Sequence, residues 1–173
     1  HEEIENIALA IPDKIEPLKK HKVLVFSKAF TYYHSSIAVA KEMAKQMGEK
    51  TGLFEADFTN DPNDLSAENL KNYDAVYLNN STSIEKGLTT EKMRKEFIEY
   101  VKNGGGIVAI HAATDGGWPE YTEMIGGNFD GHPWGHEGTY CLCNEDATHP
   151  VVSGIFGGKQ SFEINDELYQ YKD

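Results

Sequence analysis

The chain has 173 residues, and its 16 Lys and Arg against 28 Asp and Glu give a formal net charge of −12. This length fits one domain with a sizeable core. The acidic balance argues against nucleic acid and anionic membranes as partners and favours small or neutral ligands. No run of 18 apolar residues occurs, so we predict no membrane-spanning segment. The sequence leaves open the compartment, cytoplasmic or exported, and the oligomeric state, a homo-oligomer included.

Strand and helix patterns alternate along the chain after an N-terminal arm over residues 1–21. Such alternation predicts an α/β fold with an open, mostly parallel sheet and helices on both of its faces. Apolar runs predict strands at 23–26, 53–58, 73–78 and 107–110. Amphipathic segments predict helices at 37–47, 65–70 and 91–102. The second strand is the least apolar of the four, so we place it nearest an edge of the sheet.

The pattern changes after Gly131. Two strands of a different kind are predicted at 138–143 and 161–164, joined by a loop that contains His149 and Pro150. Cys141 and Cys143 lie two residues apart in the first of these strands and so point to the same face. We interpret them as buried small residues and not as a disulfide.

Polar side chains follow three of the four predicted parallel strands. They are Ser27 and His34 after the first strand, Asn79 and Asn80 after the third, and His111 after the fourth. In an open parallel sheet, ligands bind beyond the carboxyl ends of the strands. Because those ends share one edge, we expect these side chains to converge there and form a site.

His111 has the context of a sharp turn between a strand and a helix. The small residues Ala109 and Ala113 stand two positions before and two after it. The same spacing of small residues surrounds the nucleophile of hydrolases, which is Ser or Cys. A histidine there suits metal ligation or general acid and base chemistry. The alternative is a histidine packed at a strand end and hydrogen-bonded to the backbone.

A second cluster lies in the loop that Gly131 and Pro133 shape. Asp130 and His132 are two residues apart, and either can ligate a divalent ion together with His111. No spacing matches a closed zinc motif. His136 and Glu137 either belong to this cluster or begin the next strand. The alternative for the cluster is a tight turn with solvated histidines.

Two residues outside this loop complete the candidate set. His34 is a candidate third metal ligand or substrate contact, and Glu167 is a candidate catalytic carboxylate. The alternatives are a residue that leads into a helix and a surface acid. His34 is favoured by its nearness to the predicted edge of the sheet, and Glu167 by its position near a strand end.

Aromatic residues fall in the same loops, namely Tyr32, Tyr33, Trp118 and Trp134. Aromatic rings next to polar side chains such as Asn80, His34 and Asp130 are typical of sugar-binding clefts. Packing in the core or at the rim is the equal alternative for each ring. We expect no nucleotide cofactor, because the loop at 27–34 lacks the glycines that let a backbone cradle a phosphate.

Seven segments together, in this order, resemble the ThuA-like (trehalose utilisation) family. They are VLVFS at 23–27, YHSSI at 33–37, GGGIVAIHAAT at 104–114, WPEY at 118–121, GGNFDGHPW at 126–134, HP at 149–150 and DELY at 166–169. The resemblance implies a domain over 22–173 with the flavodoxin-like fold of class I glutamine amidotransferases. It also implies that His111 replaces the amidotransferase nucleophile and that closing strands follow beyond Asp173.

The family implies a role in the breakdown of a disaccharide or glycoside, or of its keto-sugar derivative. Glutaminase activity is not expected, since neither Cys141 nor Cys143 lies at the strand-to-helix turn. We favour an enzyme in which His111 and His132, with His34 or Glu167, hold a divalent metal such as zinc or act as acid and base. The alternative is a non-catalytic carbohydrate-binding or accessory domain.

Overall fold

The computed structural model describes residues 5, 6, 9, 19–135 and 138–172. Most of the predicted N-terminal arm, and His136 with Glu137, lie outside the described residues. The chain divides into two compact units; the first extends to Phe129 and the second is Asp130–Lys172. None of the helices in the described ranges is both long and apolar enough to cross a membrane.

The first unit is built on four parallel strands in the order β2-β1-β3-β4. The strands are β1 (His21–Phe26), β2 (Phe54–Thr59), β3 (Ala75–Asn79) and β4 (Gly106–Ile110). All four predicted strands are confirmed, as is the position of β2 at an edge. The apolar runs predict them well because buried parallel strands need apolar residues on both faces.

Helices connect these strands. They are α1 (Ser36–Thr51), α2 (Ala67–Leu70), α3 (Glu91–Lys102) and α4 (Pro119–Ile125), with 3-10 turns at Pro62–Leu65, Ile84–Lys86 and His111–Thr114 and a short strand β5 (Asn128–Phe129). Thr90 caps α3, since its side chain accepts a hydrogen bond from the Met93 amide. Gly104 follows that helix with φ +99°, a conformation that favours glycine.

Helices pack on both faces of the sheet. One face packs Leu78 of β3 against Phe97 of α3 in the larger apolar cluster. The other packs Val25 of β1 against Ala44 of α1. Burying a large apolar side chain stabilises a fold by about 1.5–3 kcal/mol, so the two clusters fix the helices on the sheet. The predicted α/β class with helices on both faces is confirmed.

The second unit contains an antiparallel pair, β6 (Thr139–Cys143) and β7 (Ser161–Asn165), and a short strand β8 (Tyr171–Lys172). A helix, α5 (Pro150–Phe156), connects β6 to β7 where we expected a loop. His149 caps α5, since its Nδ1 accepts from the Val151 amide at 3.3 Å. Proline at the first helical position favours this start, so a helix signal was present in the sequence.

The two cysteines correct a second expectation. Cys141 and Cys143 are both free and both exposed. They occupy the alternate positions of β6 whose face is open to solvent, while Tyr140 and Leu142, at the other positions, are half-buried. The interpretation as buried small residues is therefore wrong; they do share one face, as predicted.

Candidate functional site

His111 occupies a strained turn at the carboxyl end of β4. It follows Ile110 directly and begins a 3-10 turn with φ +48°. Left-handed backbone costs a residue with a side chain about 1–2 kcal/mol. The small residues Ala112 and Ala113 are buried beneath the turn, so the structure confirms the sharp strand-to-helix turn that the spacing of small residues predicts.

His34 lies on the β1–α1 loop and contacts His111. The ring centroids of the two imidazoles are 4.8 Å apart with an interplanar angle of 79°. The Tyr32 ring contacts His34 in the same edge-to-face manner, at 4.8 Å and 72°. The predicted convergence at the edge of the sheet is thus confirmed for His34 and His111, which are 77 positions apart in the chain (111 − 34).

Asn80 is the second strained residue at this edge. Asn79 pairs with Ile110 in the parallel register, so Asn80 and His111 are the next residues of neighbouring strands. Asn80 has φ +51° and is 2% exposed. Its Nδ2 donates to Asn79 Oδ1 at 3.2 Å. Among the described residues, its buried Oδ1 has no hydrogen-bond partner, which costs about 1–3 kcal/mol.

Residues other than glycine rarely have left-handed backbone, and those that do concentrate at functional sites. The strain at Asn80 and His111 therefore supports the hypothesis that this edge of the sheet carries function.

Asn79 connects the ends of β1 and β3 to the start of α1. Its Nδ2 donates to Ser27 Oγ at 3.2 Å and to the Ile37 carbonyl at 3.0 Å. Asn79 is fully buried and Ser27 nearly so. These bonds satisfy polar groups that the strand ends bring into the interior. The polar side chains predicted at this edge therefore hold its loops together.

The aromatic candidates of the first unit separate into two kinds. Tyr32 and Tyr33 are 68% and 64% exposed, so their rings are open to a ligand. Trp118 is 9% exposed and belongs to the larger core cluster. Its ring lies 5.1 Å from Tyr121 and beneath the Arg94 guanidinium at 5.5 Å. Trp118 is therefore a packing residue of the core, because its neighbours already cover the ring faces on which a sugar would stack.

In the second unit, the structure brings His132 and Glu167 together. His132 Nε2 lies 3.2 Å from Glu167 Oε1, and the centroid of the His132 ring is 6.4 Å from that of Tyr169. A carboxylate at one ring nitrogen fixes the orientation and tautomer of an imidazole. The pair has the geometry of an oriented acid or base.

The remaining candidates of the second unit have separate surroundings. Asp130 Oδ1 is paired with Lys172 Nζ at 2.8 Å, so this carboxylate has a cation beside it. The Asp130 amide donates to the Gln170 carbonyl at 2.8 Å. Trp134 is exposed, and its carbonyl accepts from the Tyr140 hydroxyl at 2.9 Å. A substrate contact remains a prediction for both Asp130 and Trp134.

The predicted divalent metal requires more ligands than these pairs provide. Catalytic zinc takes three protein ligands. Across the parts of the chain that the structure describes, no three His, Cys, Asp or Glu side chains form such a group. His34 and His111 together offer two imidazoles. The described residues therefore do not by themselves fit a metal site, and we derive no chemistry through one. Metal analysis of protein purified without a nickel column tests the prediction.

Sequence reasoning missed a group of residues just after β3. Ser81 and Thr82 are fully buried, and Glu85 accepts a hydrogen bond from the Gly117 amide at 2.8 Å. The sequence did carry a signal, because a run of small polar residues follows a buried strand. That run does not reveal which loops it binds.

Comparison with known proteins places the fold in a family. The family model ThuA, described as trehalose utilisation, matches residues 22–173. The chain belongs to the ThuA family. This confirms the resemblance drawn from the seven sequence segments.

A solved structure supports the same placement. A ThuA-like protein from Bacteroides uniformis ATCC 8492 is 25% identical and superposes with a TM-score of 0.71 over 92% of this chain. This chain spans 64% of that one. No curated protein matches the chain. Membership of the ThuA family supports a carbohydrate-related function.

Proposed function

We propose that the carboxyl edge of the parallel sheet binds a disaccharide, a glycoside or its keto-sugar derivative, and that His111 transfers a proton there. The observation that carries the proposal is the pair of strained residues, His111 and Asn80, at neighbouring strand ends. The family description, trehalose utilisation, supports a sugar as the ligand.

The chemistry follows from the two imidazoles. An imidazole accepts or donates a proton near neutral pH, as is needed at a sugar hydroxyl or at a carbon next to a keto group. Because the His34 and His111 rings are in contact, one can accept a proton while the other donates. General acid and base catalysis of this kind accelerates reactions by about 10²–10⁴-fold.

The second unit offers an independent acid or base. Glu167 orients His132 from 3.2 Å, so we propose a proton-transfer role for His132 with Glu167 as its partner. The variant Glu167→Gln keeps an oxygen beside the ring but removes the negative charge. A loss of turnover in this variant supports the role, and unchanged turnover in both Glu167→Gln and His132→Asn contradicts it.

The substitution His111→Asn tests the main proposal. Asparagine tolerates left-handed backbone better than other residues with a Cβ, so the turn is retained while the imidazole is removed. We expect turnover of trehalose or its 3-keto derivative to fall by about 10²–10⁴-fold. The matched control is His21→Gln, an exposed histidine at the opposite edge of the sheet. Unchanged turnover in folded His111→Asn would contradict the proposal.

A non-catalytic carbohydrate-binding domain is the second candidate. The observation that favours it is the exposure of Tyr32 and Tyr33 beside His34, because sugar faces stack on such rings. In this case calorimetry with trehalose would show binding that survives His111→Asn but weakens by about 1 kcal/mol in Tyr32→Ala or Tyr33→Ala. The control is Met47→Ala, at an exposed residue near the end of α1 in the same unit, which should bind normally.

A further inference from the structure

A single loop is hydrogen-bonded to both loops that carry the histidines of the first unit. We call residues 79–85 the central loop; they run from the last residue of β3 into the 3-10 turn Ile84–Lys86. Its bend is tight: the Thr82 amide donates to the Asn80 carbonyl at 3.0 Å, and Ser83 has φ +54°. The bend includes two residues with left-handed backbone, Asn80 and Ser83, a conformation that persists only where the surrounding structure enforces it.

The central loop binds the β1–α1 loop, which carries His34. Beyond the two bonds that Asn79 donates, the Ser81 hydroxyl donates to the Phe26 carbonyl at 3.1 Å. The Thr82 hydroxyl donates to the Tyr32 carbonyl at 3.3 Å and accepts from the Thr31 amide at 3.3 Å. Thr82 therefore holds the backbone of Tyr32, whose ring contacts His34.

The central loop also binds the loop that follows His111. The Ser83 amide donates to the Asp115 carbonyl at 2.6 Å, and Glu85 Oε2 accepts from the Gly117 amide at 2.8 Å. A Cβ at Gly116 would lie 2.8 Å from Glu85 Oε2, so the carboxylate approaches this backbone as closely as glycine permits. This contact fixes the loop six residues after His111.

The geometry points to the central loop as the element that sets the His34–His111 contact, with Thr82 and Glu85 as its positioning residues. Thr82 acts on the side of His34 and Glu85 on the side of His111. The inference rests on the proposed function only in taking the two imidazoles as the groups that transfer the proton. An error of about 1 Å in the placement of such groups can cost about 10²-fold in rate, so an element that fixes their distance matters for the chemistry.

Paired variants of Thr82 test the positioning role. Thr82→Val preserves the shape and removes the hydroxyl, whereas Thr82→Ser retains the hydroxyl. The matched control is Thr51→Val, since Thr51 is also buried and its hydroxyl also bonds backbone, donating to the Met47 carbonyl at 2.6 Å and accepting from the Leu53 amide at 3.2 Å. Thr51 ends α1, away from both histidine loops.

The readout is the NMR cross-relaxation between the imidazole protons of His34 and His111, assigned with His34→Asn and His111→Asn. We expect these cross-peaks in the unmodified chain, in Thr82→Ser and in Thr51→Val, and their loss in Thr82→Val. A role limited to stability would lower the stability of Thr82→Val and Thr51→Val alike and would leave the cross-peaks of both folded variants in place.

A second pair of variants keeps the test decisive if Thr82→Val fails to fold. Glu85→Gln retains an oxygen that accepts from the Gly117 amide, and Glu85→Ala does not. We expect the cross-peaks to survive in Glu85→Gln and to disappear in Glu85→Ala. Cross-peaks that persist in Glu85→Ala and in any folded Thr82→Val overturn the inference.

Trehalose binding, measured by calorimetry on the same proteins, separates the two proposals. One outcome is that Thr82→Val and Glu85→Ala lose the cross-peaks while the unmodified chain neither binds nor turns over trehalose or its 3-keto derivative. This outcome contradicts the proposed function and supports the positioning role. Retained cross-peaks alongside sugar turnover that depends on His111 support the function and overturn the positioning role.

Discussion

The two ends of the parallel sheet in the first unit differ in what they hold. At the amino ends of the strands lies a cavity of about 1020 Å³, lined both by apolar and aromatic side chains, such as Leu70 and Tyr100, and by charged ones, such as Lys71 and Asp74. At the carboxyl ends, His34 and His111 lie in contact beside the buried Asn80. The large cavity and the candidate chemistry are therefore on opposite edges.

Backbone strain distinguishes these edges better than volume does. Within the described residues, the non-glycine positions with left-handed φ are Asn80, Ser83 and His111, all at the carboxyl edge. At the amino edge, polar groups are paired without such strain; the Tyr73 hydroxyl, for example, donates to Asp57 at 2.9 Å. Strain persists only where the surrounding structure enforces it. A cavity, by contrast, forms wherever side chains fail to fill space.

The largest expected effect tests whether the carboxyl edge depends on its buried polar bonds. Asn79→Leu removes the two hydrogen bonds that the Asn79 amide donates, to the Ser27 hydroxyl and the Ile37 carbonyl, and the one that it accepts from Asn80 Nδ2. We expect the free energy of unfolding, measured with urea, to fall by about 2–4 kcal/mol, since each buried group left unsatisfied costs about 1–3 kcal/mol.

The matched variant at the amino edge is Tyr100→Phe. It removes the bond from the Tyr100 hydroxyl to the Tyr73 carbonyl, which is 3.3 Å long and partly open to solvent. Here we expect a loss of about 0.5–1.5 kcal/mol. Equal losses in Asn79→Leu and Tyr100→Phe would show that the two edges do not differ in this respect.

A smaller effect, of opposite sign at the two edges, tests the strain itself. His111→Gly removes a left-handed side chain, so we expect the free energy of unfolding to rise by up to about 1 kcal/mol, while the proposed activity is lost. His21→Gly, in the extended strand β1 at the amino edge, should lower it by about 1 kcal/mol. Thermal or urea unfolding measures both. A His111→Gly variant destabilised as much as His21→Gly would remove the argument from strain.

The fold was predictable because its signals are periodic and local. Apolar runs mark the buried parallel strands, and the alternation with helices fixes the topology. The topology in turn predicts that His34 and His111 lie at one edge of the sheet. The short helix α5 (Pro150–Phe156) was missed because seven residues give too little periodicity to distinguish it from a loop.

The parts of the site that were not predictable depend on contacts between distant loops. Nothing local shows that Thr82 meets the backbone of Tyr32, 50 positions earlier, or that Arg94 covers the ring of Trp118. The sequence of a glycine-rich segment does not show whether the ring of an aromatic residue in it is buried or exposed. The sequence places His132 and Glu167 in one candidate set, but only the structure shows their 3.2 Å contact.

The smallest effect concerns the amino edge and its response to pH. Hydrogen bonds from the Lys19 ammonium and the Lys22 amide lower the pKa of Asp74 from 3.8 to about 2. Because the folded pKa is below the ordinary one, the ionised carboxylate contributes its full stability above about pH 4 and loses it as the pH falls towards 2. In Asp74→Asn, we therefore expect a shallower decline of the urea midpoint across this range.

The control for Asp74→Asn is Glu55→Gln, because Glu55 forms a looser, exposed ion pair with Lys20 at 3.6 Å. Such pairs contribute little in water, so this variant should follow the unmodified chain through the acid range. If Asp74→Asn also follows it, the hydrogen bonds of Asp74 do not stabilise the amino edge. If the urea midpoint of Asp74→Asn declines less steeply, exposed charge pairing stabilises the amino edge. The carboxyl edge differs, because the groups that hold it together are buried.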